Sequence, residues 1–351
     1  MRVYSDIAHP AYAHALRHFI TGMKARGHEV LVTARDKDMT HCLLGEWGID
    51  FIDRGAGGSG TGGWMRRMAA LTGRAWYLLR VVVRLLPVVR RFRPHLVVSW
   101  SSYHAALMGR LLGVPVLTFE DTESSVLLHR VNRFLSTRMV TPAAFETGLG
   151  RKHIRFEGWK ELASLHPSRF TPAALPAGVE KPYIIMRFVS WNAWHDKGHT
   201  GMSDAAKREV VRRLSEFGTV YISSEKMLPA GMQGAAMPGG CGDVHTLLAG
   251  SSLFFGESAC MAAEAAVLGV PAFFIDNEGR GFTRELERLG LLFSYGEDDG
   301  QVAEALKKAV SLLSDPGTGE EWQRRRRKAL EGKPDITALM IEMAEKFADR
   351  G

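Results

Sequence analysis

The chain has 351 residues, of which 46% are hydrophobic, 24% are charged and 9% are aromatic. This composition excludes an intrinsically disordered chain, and the length predicts two domains because single cores rarely grow beyond about 250–300 residues. The net charge of +7 favours anionic partners. The chain has three widely spaced cysteines without C-x-x-C spacing, Cys42, Cys241 and Cys260. They predict neither a disulfide framework nor a zinc site and fit a cytoplasmic location.

Strands and helices alternate through the first half of the chain. Residues 1–5 predict a first strand that leaves no room for a secretion leader, and residues 13–26 have helical periodicity. Further helices are predicted at 39–47, 64–92 and 103–112, and further strands at 30–33, 50–52, 95–99, 114–119 and 139–141. Continuously apolar strands that alternate with helices are typical of a parallel sheet covered on both faces.

Proline and polar residues accumulate between residues 162 and 181, where we predict a domain boundary. The predicted organisation is an N-terminal domain (1–165), a linker (166–182), a C-terminal domain (183–334) and a last helix (335–351) that packs back on the first domain. The second domain repeats the pattern, with strands at 183–186, 220–222, 253–255 and 272–275 and helices at 205–217, 244–249 and 261–268. The predicted fold is α/β, with two facing Rossmann-like domains and a ligand in the central cleft between them.

Residues 255–271 carry the sharpest local signal. A buried strand turns through Gly256 directly into a helix, so the first amides of that helix and the positive end of its dipole predict a diphosphate site. Glu264, two turns into the helix, is a candidate for ribose hydroxyls. The alternative is that the small residues only permit close packing and that Glu264 is a solvated helix residue.

This region resembles a known fold family. The run 243–249, the following apolar strand, and the phrases Gly256-Glu257-Ser258, Glu264-Ala265-Ala266 and Gly269-Val270-Pro271 resemble the donor-nucleotide region of GT-B glycosyltransferases and of UDP-N-acetylglucosamine 2-epimerases. With Asp6, Pro10, His14 and the phrases 32–38, 119–123 and 187–191, the chain resembles a prokaryotic GT-B-like family of unknown function up to about residue 295. The resemblance implies the GT-B fold and an enzyme that uses a nucleotide-sugar.

The resemblance also implies roles for individual residues. It places His245 near the nucleotide base, Ser258 and the amides after it near the phosphates, and Glu264 near the ribose. The full set of implied nucleotide-sugar contacts is Arg187, Ser223, Ser224, His245, Gly256, Glu257, Ser258, Ala259, Met261 and Glu264. A surface salt bridge for Arg187 and turn or N-cap roles for the two serines are the alternatives.

The first domain is expected to supply the acceptor site and a general base. His9 and His14 follow the first strand, with Asp6 beside them, and a histidine that titrates near neutrality can take a proton from an acceptor hydroxyl. Glu120 and Glu123 follow another apolar strand, and in the epimerases a carboxylate follows the equivalent strand. The alternatives are structural histidines and an acidic first turn of the next helix.

Residues 64–93 contain eight arginines, two tryptophans and no acidic residue. The uncharged runs are too short to span a bilayer, but the segment can lie on a membrane surface. The predicted contacts are Trp64, Arg66, Arg67, Trp76, Arg80 and Arg84. The alternative is a pair of core helices with an arginine-rich outer face. The glycine-rich run 55–63 before this segment lacks the Lys-Ser/Thr ending of a P-loop, so the sequence does not predict a nucleoside triphosphate site there.

The sequence therefore predicts a metal-independent GT-B glycosyltransferase without a cofactor, which moves a sugar from a UDP-sugar to a hydroxyl acceptor. The acceptor is lipid-linked if the membrane hypothesis holds, the location is the cytoplasm or the inner face of the membrane, and nucleic acid is not a predicted partner. A non-hydrolysing UDP-sugar 2-epimerase is the first alternative, although that pattern expects a histidine-arginine phrase where this chain has Met186-Arg187-Phe188. A nucleotide-sugar-binding protein without turnover is the second.

Overall fold

A computed structural model describes residues 1–55, 64–123, 126–190, 200–225, 228, 232 and 235–348, with the backbone alone for 64–72, 74, 75 and 348. The chain divides into two compact units. The first unit comprises residues 1–168 together with 334–351, and the second comprises residues 169–333. Each unit is built on its own parallel sheet, of seven strands in the first and six in the second.

The first unit carries strands β1 (Arg2–Ile7), β2 (Glu29–Ala34), β3 (Ile52–Asp53), β4 (Leu96–Trp100), β5 (Val116–Phe119), β6 (Arg138–Pro142) and β7 (His153–Phe156). Its helices are α1 (Pro10–Ala25), α2 (Thr40–Glu46), α3 (Trp64–Phe92), α4 (Tyr103–Leu112), α5 (Val126–Leu135), α6 (Leu162–Leu165) and α13 (Ile336–Ala348). The strands pair in the order β3-β2-β1-β4-β5-β6-β7. The order reverses between β1 and β4, and in doubly wound sheets ligands bind at such a switch point.

The second unit carries strands β8 (Tyr183–Phe188), β9 (Thr219–Ser224), β10 (Ala235–Ala236), β11 (Leu253–Gly256), β12 (Ala272–Ile275) and β13 (Leu292–Tyr295). Its helices are α7 (Asp204–Leu214), α8 (Val244–Gly250), α9 (Ala259–Leu268), α10 (Gly281–Arg288), α11 (Asp299–Leu313) and α12 (Thr318–Leu330). The strand order is β10-β9-β8-β11-β12-β13, so the switch point lies between β8 and β11.

Apolar strands buried on both faces form the core of each sheet. All five residues of β4 and all four of β11 are buried, which explains why their sequences do not alternate between apolar and polar residues and are apolar apart from Ser99. In the first unit α13 packs on α1, where a Cβ added to Gly22 would lie 2.8 Å from the Cδ1 atom of Ile341. The absence of a side chain at Gly22 thus lets the last helix approach α1 closely.

The predicted α/β fold with two Rossmann-like sheets is confirmed. Residues 64–92 form one helix, α3, so the alternative of a helix pair is wrong; Pro87 lies inside this helix. Among the helices that the structure describes, none combines the length and the hydropathy needed to cross a membrane. Residues 56–63 of the predicted glycine-rich loop lie outside the described residues.

Candidate functional sites in the two units

In the second unit, β11 passes into α9 through Gly256, at the switch point. Ser258 is the N-cap residue of α9, and its hydroxyl accepts a hydrogen bond of 3.4 Å from the amide of Met261. The helix therefore begins at the carboxyl edge of the sheet, where its positive dipole end favours an anion. The cap occupies the Met261 amide, so the amide of Ala259, two residues earlier and the first of α9, is the better candidate for a phosphate contact.

Gly256 is required by strand pairing. A Cβ at this position would lie 2.4 Å from the backbone oxygen of Arg187 on β8, a distance that real Cβ atoms do not show. We therefore expect Gly256→Ala to destabilise the protein by roughly 1–3 kcal/mol, because a strand must move to admit the methyl group. Urea unfolding measures this loss. The matched control is Gly319→Ala in α12, where nothing lies within 4 Å of the added atom; equal stability of the two variants would contradict the strand-contact argument.

His245 and Glu264, which the sequence implied separately, are brought together. The Nε2 atom of His245 lies 3.4 Å from the Oε1 atom of Glu264, and both residues are 6% exposed. The ring of Phe170 stands edge-on to the imidazole at 6.0 Å. The alternative of a solvated Glu264 is wrong, because helix α9 turns this carboxylate toward α8.

Arg187 is the penultimate residue of β8, and its side chain reaches the neighbouring strand. Its guanidinium donates to the hydroxyl of Ser223 at 2.6 Å and forms an ion pair with Glu225, also at 2.6 Å. Its side chain remains 18% exposed. Ser224 is the last residue of β9 and is half-buried. The alternative of a salt bridge for Arg187 therefore holds, and the same contact fixes a positive charge at the carboxyl edge of the sheet.

Glu257 has protein partners for both of its carboxylate oxygens, and its predicted ligand contact stays a prediction. Its carboxylate accepts hydrogen bonds from the amides of Val189 (2.9 Å) and Met202 (2.8 Å), and the Nζ atom of Lys207 lies 3.3 Å away. Burial raises the pKa of Glu257, and the charge of Lys207 opposes that rise. The carboxylate therefore holds the chain before residue 190 to the chain after residue 200.

In the first unit, Asp6 is the centre of a buried polar cluster. Its carboxylate accepts hydrogen bonds from Thr33 (2.6 Å) and Ser102 and forms a buried ion pair with Arg54. Burial lowers the pKa of Arg54, but the charges of Asp6 and neighbouring tyrosines more than offset this, so the pKa is raised. These contacts make Asp6 the counter-ion of Arg54, and a part in catalysis stays a prediction.

The two predicted histidines lie on α1. His9 is the N-cap residue, and its Nδ1 atom accepts a hydrogen bond of 3.2 Å from the amide of Ala11. His14 is buried, with its ring edge-on to Trp47 at 5.0 Å. A cap and a packed ring are the structural roles that the sequence left open as alternatives, and a role in proton transfer stays a prediction.

Glu120, directly after β5, has the features of a general base. Its carboxylate is fully buried and accepts hydrogen bonds from the Ser101 hydroxyl (2.6 Å) and from the amides of Asp121 (3.1 Å) and Thr122 (3.3 Å). Burial, with a smaller effect from the charge of Asp121, raises the pKa of Glu120 to about 7. A carboxyl group that titrates near neutrality is suited to proton transfer.

Two further features of this cluster were missed in the sequence. Ser101 adopts φ of 53°, a strained conformation for a residue with a side chain that is found often at functional sites. The ammonium of Lys160 is 3% exposed and lies 2.6 Å from the Oδ2 atom of Asp121. A single lysine after the polar strand β7 gave no periodic or motif signal that would have predicted this ion pair.

Tyr12 completes the cluster around Glu120, because Lys160 lies 5.9 Å from the centre of its ring. The pKa of Tyr12 is raised by burial and by the nearby charges of Asp121 and Glu120. Glu123, the other predicted carboxylate, is half-buried and accepts a hydrogen bond of 3.4 Å from the amide of Glu146.

The predicted membrane contacts lie on α3. Trp76 is 62% exposed, and Arg80 and Arg84 are exposed as well. The side chains of Trp64, Arg66 and Arg67 lie outside the described residues. Contact with a membrane stays a prediction at this point.

Comparison with known proteins shows the fold. No protein-family model matches the sequence, and the search of curated proteins finds no match. Among solved structures, the chain resembles UDP-GlcNAc 2-epimerase from Neisseria meningitidis bound to UDP-GlcNAc, with a TM-score of 0.70 and 15% identity over 99% of this chain and 100% of that one.

Glycosyltransferases are also similar to this chain. Spinosyn rhamnosyltransferase SpnG, complexed with spinosyn aglycone, gives a TM-score of 0.63 at 15% identity and covers 98% of this chain and 100% of its own. Glycosyltransferase VinC in complex with dTDP gives a TM-score of 0.63 at 13% identity, with all of both chains covered. The chain therefore has the fold shared by the UDP-GlcNAc 2-epimerases and the GT-B glycosyltransferases, as its sequence resemblance implies.

Proposed function

We propose that this chain is a GT-B-type glycosyltransferase that transfers a sugar from a nucleotide diphosphate, with UDP-sugars as the first candidates, to a hydroxyl acceptor. The likeness over the whole chain to enzymes solved with UDP-GlcNAc and with dTDP carries the proposal. The chemistry at the carboxyl edges of the two sheets supports it, because one edge offers positive charge and the other a carboxylate that titrates near neutrality.

The second unit is proposed to bind the donor. The start of α9 and the guanidinium of Arg187 both lie at the switch point between β8 and β11, where they would offset the negative charge that grows on the departing diphosphate. His245 and Glu264 form a buried polar pair between α8 and α9, and this pair would contact the nucleoside. The protein itself thus supplies the positive charge, and the proposal requires neither a metal ion nor a cofactor.

The first unit is proposed to activate the acceptor. Deprotonated Glu120 would take the proton of the attacking hydroxyl, either directly or through the hydroxyl of Ser101, which donates a hydrogen bond to it. Lys160 and Asp121 neutralise each other beside it and fix the electrostatic surroundings of the carboxylate. A hydroxyl acceptor carried on a lipid is included in the proposal.

A UDP-sugar 2-epimerase is the second candidate. It is favoured by the higher TM-score of the epimerase from Neisseria meningitidis, 0.70 against 0.63 for the two transferases. Epimerisation would also use Glu120, as an acid or base at a sugar carbon. The two functions differ in their products, because an epimerase converts a UDP-sugar without an acceptor and does not need to release free nucleotide at each turnover.

The first experiment is a thermal-shift screen with UDP-, GDP-, dTDP- and CMP-sugars. A ligand at 100 times its Kd is expected to stabilise the native state by about 2.7 kcal/mol, so at least one sugar nucleotide should raise Tm by several degrees. Glu264→Gln should reduce this rise, because it weakens the pair with His245 at the proposed nucleoside contact. The control is Glu209→Gln, which changes an exposed glutamate on α7.

The ligand found in the screen then distinguishes the two enzymes. Incubation with a hydroxyl acceptor should release nucleoside diphosphate in proportion to glycosylated product, and this release should persist in EDTA. An epimer formed without acceptor would replace the transferase proposal by the epimerase. If no sugar nucleotide shifts Tm and none binds in calorimetry, both functions are excluded.

A further inference from the structure

The outer surface of α3, α4 and α5 in the first unit combines exposed apolar side chains with arginines. Helix α4 packs against α3 on one side and α5 on the other, so the three helices form one continuous layer. Their sequences contain ten arginines and no acidic residue. We call this layer the α3–α5 surface.

The apolar side chains of this surface are unusually exposed. Trp76 and Val83 on α3 are 62% and 66% exposed, and Leu127 and Phe134 on α5 are 66% and 72% exposed. Leu127, Val131 and Phe134 follow a spacing of four and three residues, which places them on one stripe of α5. The opposite side of α5 is buried through His129 and Asn132. The stripe is therefore an exposed apolar face of a helix whose opposite, partly polar face already contacts the unit.

A cationic cavity adjoins this stripe. It has a volume of about 620 Å³ and is lined by Arg130, Arg133, Arg151, Lys152, Phe134 and Leu149. The Nζ atom of Lys152 donates to the backbone oxygens of Arg133 (3.0 Å) and Ser136 (2.7 Å), which fixes the wall of the cavity to the end of α5. In the part of the chain that the structure describes, the three arginines form no ion pair with an acidic residue.

Charge and polarity together select the occupant. A symmetric contact with a second copy would bring arginines of like charge together without acidic partners, which is unfavourable. A nucleic acid would match the arginines but not the exposed aliphatic stripe. A bilayer with anionic phospholipids matches both, because phosphate headgroups pair with arginine while leucine and aromatic side chains enter the acyl boundary.

We propose that the α3–α5 surface binds an anionic phospholipid bilayer, with a lipid phosphate in the cavity between Arg130, Arg133 and Arg151 and with Leu127 and Phe134 in the acyl boundary. The surface extends the predicted contact on α3 to α5 and to the turn Gly150–Lys152 before β7. This inference stands apart from the proposed sugar transfer, because binding to a bilayer requires no nucleotide.

The test is sedimentation with vesicles of phosphatidylcholine and phosphatidylglycerol at 7:3, compared with vesicles of pure phosphatidylcholine. The full-length protein is expected to bind the anionic vesicles and to dissociate as the salt concentration rises, since salt screens the attraction. The triple variant Arg130→Glu, Arg133→Glu and Arg151→Glu should bind about 100-fold or more weakly, because each cation near an anionic surface contributes about fivefold. All three residues are exposed, so Tm should be unchanged.

Two further variants separate the proposed surface from net charge. The triple variant Lys24→Glu, Arg208→Glu and Lys307→Glu carries the same change of charge at exposed positions elsewhere and should keep vesicle binding. Leu127→Ser with Phe134→Ser leaves the charge unchanged and should weaken binding at least about tenfold. The proposal is overturned if the full-length protein ignores anionic vesicles, if the charge-matched control loses binding equally, or if the serine variant instead dissociates a dimer.

Discussion

Glu120→Gln is expected to lower the turnover of the sugar nucleotide by about 100-fold or more while leaving its affinity unchanged. The amide keeps the size of the side chain and can still accept from Ser101, but it cannot take a proton from an acceptor, and general base catalysis contributes about 100- to 10,000-fold. In the native enzyme, kcat/KM should fall tenfold per pH unit below about pH 7, since the pKa of Glu120 is raised to about 7. Steady-state rates between pH 5 and 9 measure both effects.

Stability provides an independent readout of the same carboxyl group. The pKa of Glu120 is raised from 4.5 in the unfolded reference to about 7, so the proton stabilises the folded state below pH 4.5 and this stabilisation is lost as pH rises through 7. Glutamine has no such dependence. The difference in unfolding free energy, Glu120→Gln minus the native protein, should therefore increase by up to roughly 3 kcal/mol from pH 5 to pH 8.

The control for both readouts is Glu29→Gln, an exposed glutamate at the amino end of β2. It should change neither the rate nor the pH dependence of stability. If Glu120→Gln turned over at the native rate, Glu120 would have no part in catalysis; the base would then have to be His9, His14 or Glu123. If Glu120→Gln had a normal rate but the expected change in stability, the raised pKa of Glu120 would be confirmed and only its role as general base would be excluded.

Sequence patterns predicted the sheets well because buried parallel strands need apolar residues on both faces. Strands β4, β5, β11 and β12 are buried strands of this kind. The first and last residue of each was predicted to within two positions. Strand β7 was missed because it lies at the edge of the sheet, where His153 and Arg155 are partly or largely exposed. The bounds of helix α5 were not predicted, because it also carries apolar residues such as Leu127 and Phe134 on its exposed face, so apolar and polar residues do not alternate with the period of a helix.

The candidate sites could be predicted only where their residues are contiguous in the sequence. The strand, Gly256 and the helix start are contiguous, so their geometry follows from local sequence. Contacts between distant residues do not follow in this way: Lys160 meets Asp121 across 39 positions, and Arg54 meets Asp6 across 48. Asp6 has a distant cation as its partner, whereas Glu120 has a raised pKa. Sequence alone could not distinguish these two kinds of buried acid.

Asp6→Ala is expected to destabilise the protein by about 3–5 kcal/mol, the largest loss of stability that we anticipate for a single substitution. The change leaves the guanidinium of Arg54, 4% exposed, without its buried counter-ion, and an uncompensated buried charge costs this much. It also removes the acceptor for the hydroxyls of Thr33 and Ser102. Thermal and urea unfolding measure the loss.

A paired substitution identifies the cause of that loss. Asp6→Ala combined with Arg54→Met removes both charges, so the double variant should recover part of the stability even though it carries one more substitution. Asp50→Ala, at an exposed position in the same unit, should stay within about 0.5 kcal/mol of the native protein. If Asp6→Ala kept native stability but abolished turnover, Asp6 would act in the chemistry itself. Unchanged instability in the double variant would instead assign the loss to the two hydroxyls, because only they would still lack an acceptor.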